Sequence, residues 1–548
     1  MRRPLLSLLA LCIIACVGDI TTRAPGSNID GPGGEVPIGT EPPGPGEPSK
    51  VNCSAPLELP PRVRLLDSRE WAGAVTALTG VTSGLTLSTR GDSTHVLFSP
   101  TAGQVHEALA FELNQKSEAI AAAAAPALAA SLPCAGAVTA TCIRDFVRSL
   151  GSRALRRPLD AAELSKLEGL YALGAEEARP VEAGLALVLE ALLQSPSFLN
   201  LVQLGGTGGS LSPHETAATL AFLLTEAPAD APLLAAAESG QLSTPEQVRA
   251  HVDRLLEGER ARTVATSRFG RWLEADGILD VSRAQAELTG TVKSAMRAEL
   301  NAYLQAATWS GEGSLDGLLS GTRTTVTAPL ADWYGLPASS FSGSAALDIA
   351  LPAERKGVMT LPAFLASHAQ FDNSSTVFRG LFINRFLLCR DTGAPPPGAV
   401  GSDPKPGSMP RNQREKAELR IANAPCSGCH ASFEPFGVLF EHYDAIGRHR
   451  THESGLPVDA SWSLKYPNEV AGPTASVLEL TPKLAGSAVV RHCVARAFSS
   501  VAAARAPSPG VCAPPEVLAA FEGSNGNLRE LLRSVAVWAA TSPRKESP

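Results

Sequence analysis

LSPHETAATLAFLLTEAPADAPLLAAAESGQLSTPEQVRAHVDRLLEGER, residues 211–260, decides the fold class. Ser212-Pro213-His214-Glu215 has the order of a capping box. A Ser hydroxyl accepts from the third helical N–H, a Glu at that third position reaches back, and Pro sits where a missing N–H does no harm. Thr244-Pro245-Glu246-Gln247 repeats the arrangement. It precedes a run in which Val248, Val252, Leu255 and Leu256 share one helical face. Working outward, the same periodicity predicts helices over 103–131, 160–173, 181–194, 260–274, 287–308, 375–388, 411–422, 482–503 and 526–541. Pro126 is expected to break or kink the first of these, and Pro435 to interrupt or start a helix. Strand signals are few and short, at 85–89 and 95–99. Aromatics make up 5% of the chain, and Ala, Leu and Val abound, which favours packed helices over sheets.

Two Pro/Gly-rich stretches, GGTGGS at 205–210 and GAPPPGAVGSDPKPGSMP at 393–410, suggest joints. The expected organisation is a signal peptide with lipobox at 1–16, a disordered tether at 17–50, an N-terminal helical module at 51–135, and a helical module with an RRPL motif at 136–204. A further helical module spans 205–340, a module with the CxxCH sequence 341–460, and a C-terminal helical module 461–548. The fold expected is mainly α: a multi-module helical protein with a cytochrome c-like C-terminal segment and few short strands.

The formal net charge of -7 and the lack of a long basic run leave no source of affinity for phosphate backbones, so no nucleic-acid partner is expected. Arg2 and Arg3 precede a short apolar run, Leu5 to Ala15, too short to span a bilayer. It ends in Ile13-Ile14-Ala15-Cys16, the pattern of a bacterial lipobox. Cys16 is therefore the expected lipidation site, and the chain is expected to be exported and held to a bacterial membrane by its lipid. Residues 24–50 are dominated by Pro and Gly, with almost nothing apolar to bury, and read as a tether.

Cys426-Ser427-Gly428-Cys429-His430 has the spacing of c-type haem attachment, in which two thiols bond the macrocycle and the His ligates iron. His430 is the expected proximal ligand of a single haem c. No Met follows the motif. Distal candidates are His442, His449, His452 and His492, or Met409 folding back from the Pro/Gly loop. Two other readings stay open, a Cys426–Cys429 disulfide and a zinc site completed by later His residues. Phe433, Phe436, Phe440 and Tyr443 recur at helical spacing and are better read as core than as haem contacts. Glu441 and Asp444 are expected either to orient a ring N–H or to cap the Gly447 turn. Arg448 and Arg450 are expected either to pair with propionates or to lie in a solvated turn.

Of the ten cysteines, Cys12 and Cys16 fall in the targeting segment. The others outside the motif are expected in disulfides, as an oxidising compartment permits: Cys134 with Cys142, Cys493 with Cys512, and by remainder Cys53 with Cys389. No Gly-x-Ser-x-Gly elbow, phosphate-binding loop, His-Glu-x-x-His or dinucleotide fingerprint appears, so no nucleophile can be named. Electron transfer is preferred to hydrolysis.

Several phrases carry a resemblance: RALRRPLDAAELSKLEGLY (153–171), LQSPSFLN (193–200) with the stretch from 211, RKGVMTLPAFLASHAQFDNSSTVFRGLFINRFLLC (355–389), CSGCHASFEPFGVLFEHYDAIGRHR (426–450) and the segment 489–542. In this order they resemble the planctomycete and myxobacterial cytochrome-like surface lipoproteins, built from consecutive domains of unknown function (PSD and PSCyt modules). Asn200-Leu201 departs from the aromatic-Arg pair usual in that family. The resemblance implies a surface-anchored protein with a haem-like module on a helical scaffold and a redox or surface partner. The alternative is a disulfide-braced, haem-free scaffold or binding protein of the cell surface.

Overall fold

The helix Pro213–Thr225 shows how the chain is assembled. It opens on the expected box: the Glu215 N–H donates to Ser212 Oγ at 3.3 Å, and the Ser212 N–H to Glu215 Oε2 at 2.9 Å. A helix that is apolar on every side has to be covered on every side. Ala217, Leu220, Ala221 and Leu224 enter one hydrophobic core, while Ala218 and Phe222 enter another. The computed structural model describes residues 51–88, 97, 105–134, 138–176, 181–311, 313–390, 392, 409–508 and 510–545. Cys16, the apolar run before it, the tether, most of 89–104 and most of the 393–410 loop lie outside those residues.

The first core runs from Leu65 to Phe222 and is built by the helices Ser68–Thr79, Glu107–Ala130, Ala140–Leu155, Ala161–Gly174 and Val181–Gln194. The second begins with Leu57 and Leu59 and extends through the remaining helices to Ala540, so residues from 217 onward share one apolar interior. The protein is mainly α. Its strands form two-stranded pairs: Cys53–Pro56 parallel to Gly510–Cys512, Arg62–Leu65 antiparallel to Asn200–Gln203, and Arg323–Val326 antiparallel to Leu347–Ala350, with two smaller pairs after residue 450. Asn200 and Leu201 are strand residues, paired with Leu65 and Arg64. No helix among the described residues is long and apolar enough to cross a membrane.

Several expectations are corrected. Residues 85–88 form no strand. Pro126 and Pro435 lie inside the continuous helices Glu107–Ala130 and Ala424–Val438. Each removes a bond to the carbonyl four residues back and sets its ring against that turn. Those turns carry Ala122 and Ala431, both small and exposed, so each ring sits at a surface turn and not in a packed interior. The stretch 482–503 divides into Val477–Gly486 and Ala488–Ala502, because Ser487 leaves helical geometry and caps the second helix. The 375–388 segment is an α-helix, Thr376–Phe382, continued by a wider π turn, Ile383–Leu387.

The disulfide pairing also differs. Cys134–Cys142 forms as expected, but Cys53 is bonded to Cys512 and Cys389 to Cys493. Sequence proximity had favoured Cys493 with Cys512. The parallel pairing of Cys53–Pro56 with Gly510–Cys512 instead brings the Cys53 and Cys512 Cα atoms to 5.2 Å. Packing of the π turn on Ala488–Ala502 brings Cys389 and Cys493 to 5.5 Å.

Candidate functional site

The helix Ala424–Val438 carries Cys426, Cys429 and His430. At 3.6 residues per turn, positions three and four apart are neighbours on one face, so both sulfurs and the imidazole share a side of the helix. Both thiols are free, Cys426 half-buried and Cys429 exposed, whereas the other described cysteines are all in disulfides. The Cys426–Cys429 disulfide, one of the alternatives, is not made. A Cβ at Gly428 would meet nothing, so that side of the helix is open.

What holds this helix in place is the preceding segment. Thr376–Phe382 crosses it so closely that a Cβ at Gly380 would overlap the Phe433 carbonyl oxygen, and one at Gly437 would overlap that of Thr376. The contact is therefore backbone on backbone, fixed by two glycines with no side chain to separate the helices. Below it, Phe433, Phe436, Phe440 and Tyr443 are all buried core residues. Arg379, fully buried, clamps the end of the helix. Its guanidinium donates to the carbonyls of Tyr443 at 2.8 Å, Asp444 at 2.7 Å, Phe440 at 3.2 Å and Leu365 at 3.3 Å. Burial lowers its pKa to about 10, although Glu441 Oε1 stands 4.0 Å away and acts in the other direction.

Glu434 is the residue the sequence reading missed. It lies one turn beyond His430 and is fully buried. Its Oε1 accepts from Thr376 Oγ1 at 2.8 Å and from the Arg420 guanidinium, through Nε at 2.9 Å. Its Oε2 stands 3.2 Å from His430 Nδ1, too misaligned for a hydrogen bond but close enough to fix the charge beside the ring. Burial pushes the Glu434 carboxyl up. The neighbouring His430 and Arg420 outweigh that and hold it below the ordinary carboxylate range. The signal available in sequence was the i, i+4 spacing of His430 and Glu434. His430 also rests on the Phe433 ring, with centroids 5.0 Å apart.

The groups nominated for the second side of the iron are scattered, apart from one stacked pair. His442 and His449 stack together at 5.6 Å, and His442 Nδ1 bonds the Arg450 carbonyl at 3.1 Å. His452 is exposed beside Thr451, and Met409 is 83% exposed. His492 lies against the Cys53–Cys512 bridge. Its Nε2 accepts from the Ala513 N–H at 3.1 Å and sits 3.8 Å from Cys53 Sγ. None of the five is hydrogen-bonded, ion-paired or stacked with His430.

Arg448 lies over the Trp333 ring, its guanidinium carbon 4.5 Å from the centroid, and pairs with Glu287. Arg450 pairs with buried Glu441 at 2.7 Å, so neither Arg is held for a ligand. Glu441 accepts from Ser374, and Asp444 Oδ1 accepts from the Ile446 and Arg448 N–H groups, capping the Gly447 turn. Among the described residues, the one close group of three potential metal ligands is Cys53, Cys512 and His492, whose sulfurs are already bonded to each other. Cys426, Cys429 and His430 do not converge on a point in that way.

Three family models match the chain. PSD5, "Protein of unknown function (DUF1595)", covers residues 142–202. PSD4, "Protein of unknown function (DUF1592)", covers 211–336. PSCyt3, "Protein of unknown function (DUF1588)", covers 355–453 and so contains the whole of the Cys426–His430 site and its supporting network. No curated protein and no solved structure matches the chain. In its three consecutive modules the chain is built as the planctomycete cytochrome-like family is built, from domains of unknown function.

Proposed function

We propose that this protein transfers single electrons through one c-type haem bonded to Cys426 and Cys429 and ligated by His430. The observation that carries the proposal is the pair of free thiols beside an imidazole on one helix face, in a chain whose other described cysteines are paired. The residues fit the group. Both thiols are free and not fully buried, and the two sulfurs and the imidazole do not gather round one small point as a tetrahedral metal needs.

Haem bound there would supply a one-electron redox centre. The chain's own part is to orient and to anchor. Glu434 beside Nδ1 directs that nitrogen inward and leaves Nε2 for the iron, with Arg420 and Thr376 fixing the carboxylate. Gly380 and Gly437 lock the helix against its neighbour, so the His ring cannot drift with a sliding helix.

Export and anchoring through Cys16 belong to the same proposal. The three disulfides support an oxidising compartment. The test is expression with the native N-terminus in a host that matures c-type cytochromes. Haem staining after denaturation and an intact mass raised by one haem are expected. Cys426→Ser/Cys429→Ser should abolish both. A colourless wild-type protein would end the redox reading and leave a disulfide-braced helical scaffold.

A further inference from the structure

Segments far apart in the chain meet at a polar cavity of about 310 Å³. The strand pair Arg62–Leu65 and Asn200–Gln203, the helices Pro213–Thr225 and Glu259–Trp272, and the turn after the helix Ala488–Ala502 all reach it. Arg62, Arg64, Arg268, Arg271 and Arg505 line it, against the acidic residues Asp67, Glu70 and Glu226. A chain of net charge -7 thus gathers a local surplus of two positive charges. The charges are matched unevenly. Glu70 takes both Nη groups of Arg64 at 2.6 Å, and Glu226 is shared by Arg271 at 2.9 Å and Arg268 at 3.9 Å. Asp67 caps the helix Ser68–Thr79, its Oδ1 accepting the Arg69 and Glu70 N–H groups. The three carboxylates stand with three guanidiniums, and Arg62 and Arg505 are left over.

Arg62 is half-buried and meets no carboxylate. Its Nε donates to Gln203 Oε1 at 2.7 Å, its Nη2 to the Ala502 carbonyl at 2.6 Å and its Nη1 to the Ala503 carbonyl. Those carbonyls end the helix Ala488–Ala502 and carry only partial negative charge. Burial, with Arg64 and Arg544 nearby, lowers the Arg62 pKa to about 9, and of the three lining carboxylates only Glu70 acts against that. Each Nη carries two hydrogens, so one remains on each. Arg62 can only donate, which turns Gln203 Oε1 toward it and Gln203 Nε2 toward Thr219 Oγ1, 2.8 Å away. The buried Thr219 oxygen therefore accepts, and its own hydrogen has no acceptor among the described residues. Arg505 is exposed and makes no ion pair or side-chain hydrogen bond among the described residues. Around Arg62 the cavity offers positive charge, N–H and O–H groups.

We propose that this cavity binds a small organic oxyanion with two negative charges, a phosphate monoester or a dicarboxylate, held by Arg62, Arg505 and the Thr219 hydroxyl. The planar guanidinium forks match the paired oxygens of either group. Leu65, Leu201, Leu223 and Val501 give the rest of the molecule apolar walls. The site stands whether or not haem is attached at Cys426.

The test titrates the full-length protein with inorganic phosphate, succinate and acetate by calorimetry, at about pH 8 and low, matched ionic strength, where screening is weak. Wild type should bind phosphate or succinate saturably and about tenfold more tightly than acetate, the discrimination that a second charge on a second guanidinium gives. Whichever dianion binds better identifies the group. Arg505→Gln, at an exposed position where folding is not at stake, should erase that preference, and Arg505→Lys, which keeps the charge, should retain most of it. Arg62→Gln should abolish binding of both dianions in protein with unchanged circular dichroism. Because Arg62 also ties down helix carbonyls, Arg505→Gln decides alone if that variant does not fold. No saturable binding of either dianion, equal affinity for acetate, or a preference unchanged in Arg505→Gln would overturn the proposal.

Discussion

Two places in this molecule hold the same three residue types, two cysteines and a histidine, and their states are opposite. At Cys53, Cys512 and His492 the sulfurs are bonded to each other and the imidazole accepts a backbone N–H. At Cys426, Cys429 and His430 the sulfurs are free, and the imidazole has no hydrogen bond at Nδ1 although a buried carboxylate stands beside it. The first trio comes from three distant segments joined by a parallel strand pair. The second comes from one helical turn. A trio assembled by the fold serves to close it. A trio written into a single helix has its geometry before the fold forms and is left available for a ligand.

The comparison can be broken most sharply by removing sulfurs. Cys426→Ser/Cys429→Ser should lose all covalently retained haem. In a host without c-type maturation, its unfolding free energy should match wild type within about 0.5 kcal/mol, because no bond or buried contact is lost. Cys512→Ser should do the reverse. Opening a bridge between residues 459 apart should lower stability by about 3–5 kcal/mol in urea unfolding, with haem retained. If Cys512→Ser lost the haem and the double variant lost stability, the two sites would have been assigned the wrong way round.

The support beneath His430 gives the next effects. Glu434→Gln leaves Arg420 buried without its carboxylate and should cost about 3 kcal/mol. Because the Glu434 carboxyl lies below its usual value of 4.5, its stabilising share is complete above that pH. It is lost as the pH falls through the folded-state value, so the variant should show a flatter acid limb. Gly437→Ala forces the two helices apart and should cost about 2–3 kcal/mol, read as a lower denaturation midpoint and poorer haem incorporation.

A pH-dependent effect belongs to His492. Burial, with Arg496 nearby, lowers its pKa from 6.5 to about 4. The unfolded chain therefore takes up a proton in a range where the folded chain does not. Stability should be unaffected by this group above pH 6.5, decline as the pH falls from 6.5 toward 4, and level off below. NMR titration of the His492 ring protons would show the depressed midpoint. An ordinary midpoint near 6.5 would mean that the ring is not held as described.

The same contrast explains what was legible. The caps at Ser212 and Thr244 and the faces they precede were readable because they are local: donors and acceptors three residues apart satisfy each other wherever the helix later packs. The expectation that Pro126 breaks its helix and that Pro435 interrupts or starts one failed for a local reason too. The rule concerns the ring and the carbonyl four residues back, and both carbonyls lie on exposed alanine turns. The shared core from residue 217 onward, the Cys53–Cys512 and Cys389–Cys493 bridges and the commitment of Arg448 and Arg450 to Trp333, Glu287 and Glu441 had no local signature.

The sequence by itself determined that the protein is mainly helical, through the 3.6-residue period, and that two thiols and an imidazole lie at Cys-x-x-Cys-His spacing at 426–430. Only the tertiary structure decided which cysteines are consumed in bridges and that Glu434 is the carboxylate beside His430. Each of these joins groups through space, from elements whose meeting depends on core packing and close helix crossings, and neither is encoded by spacing along the chain.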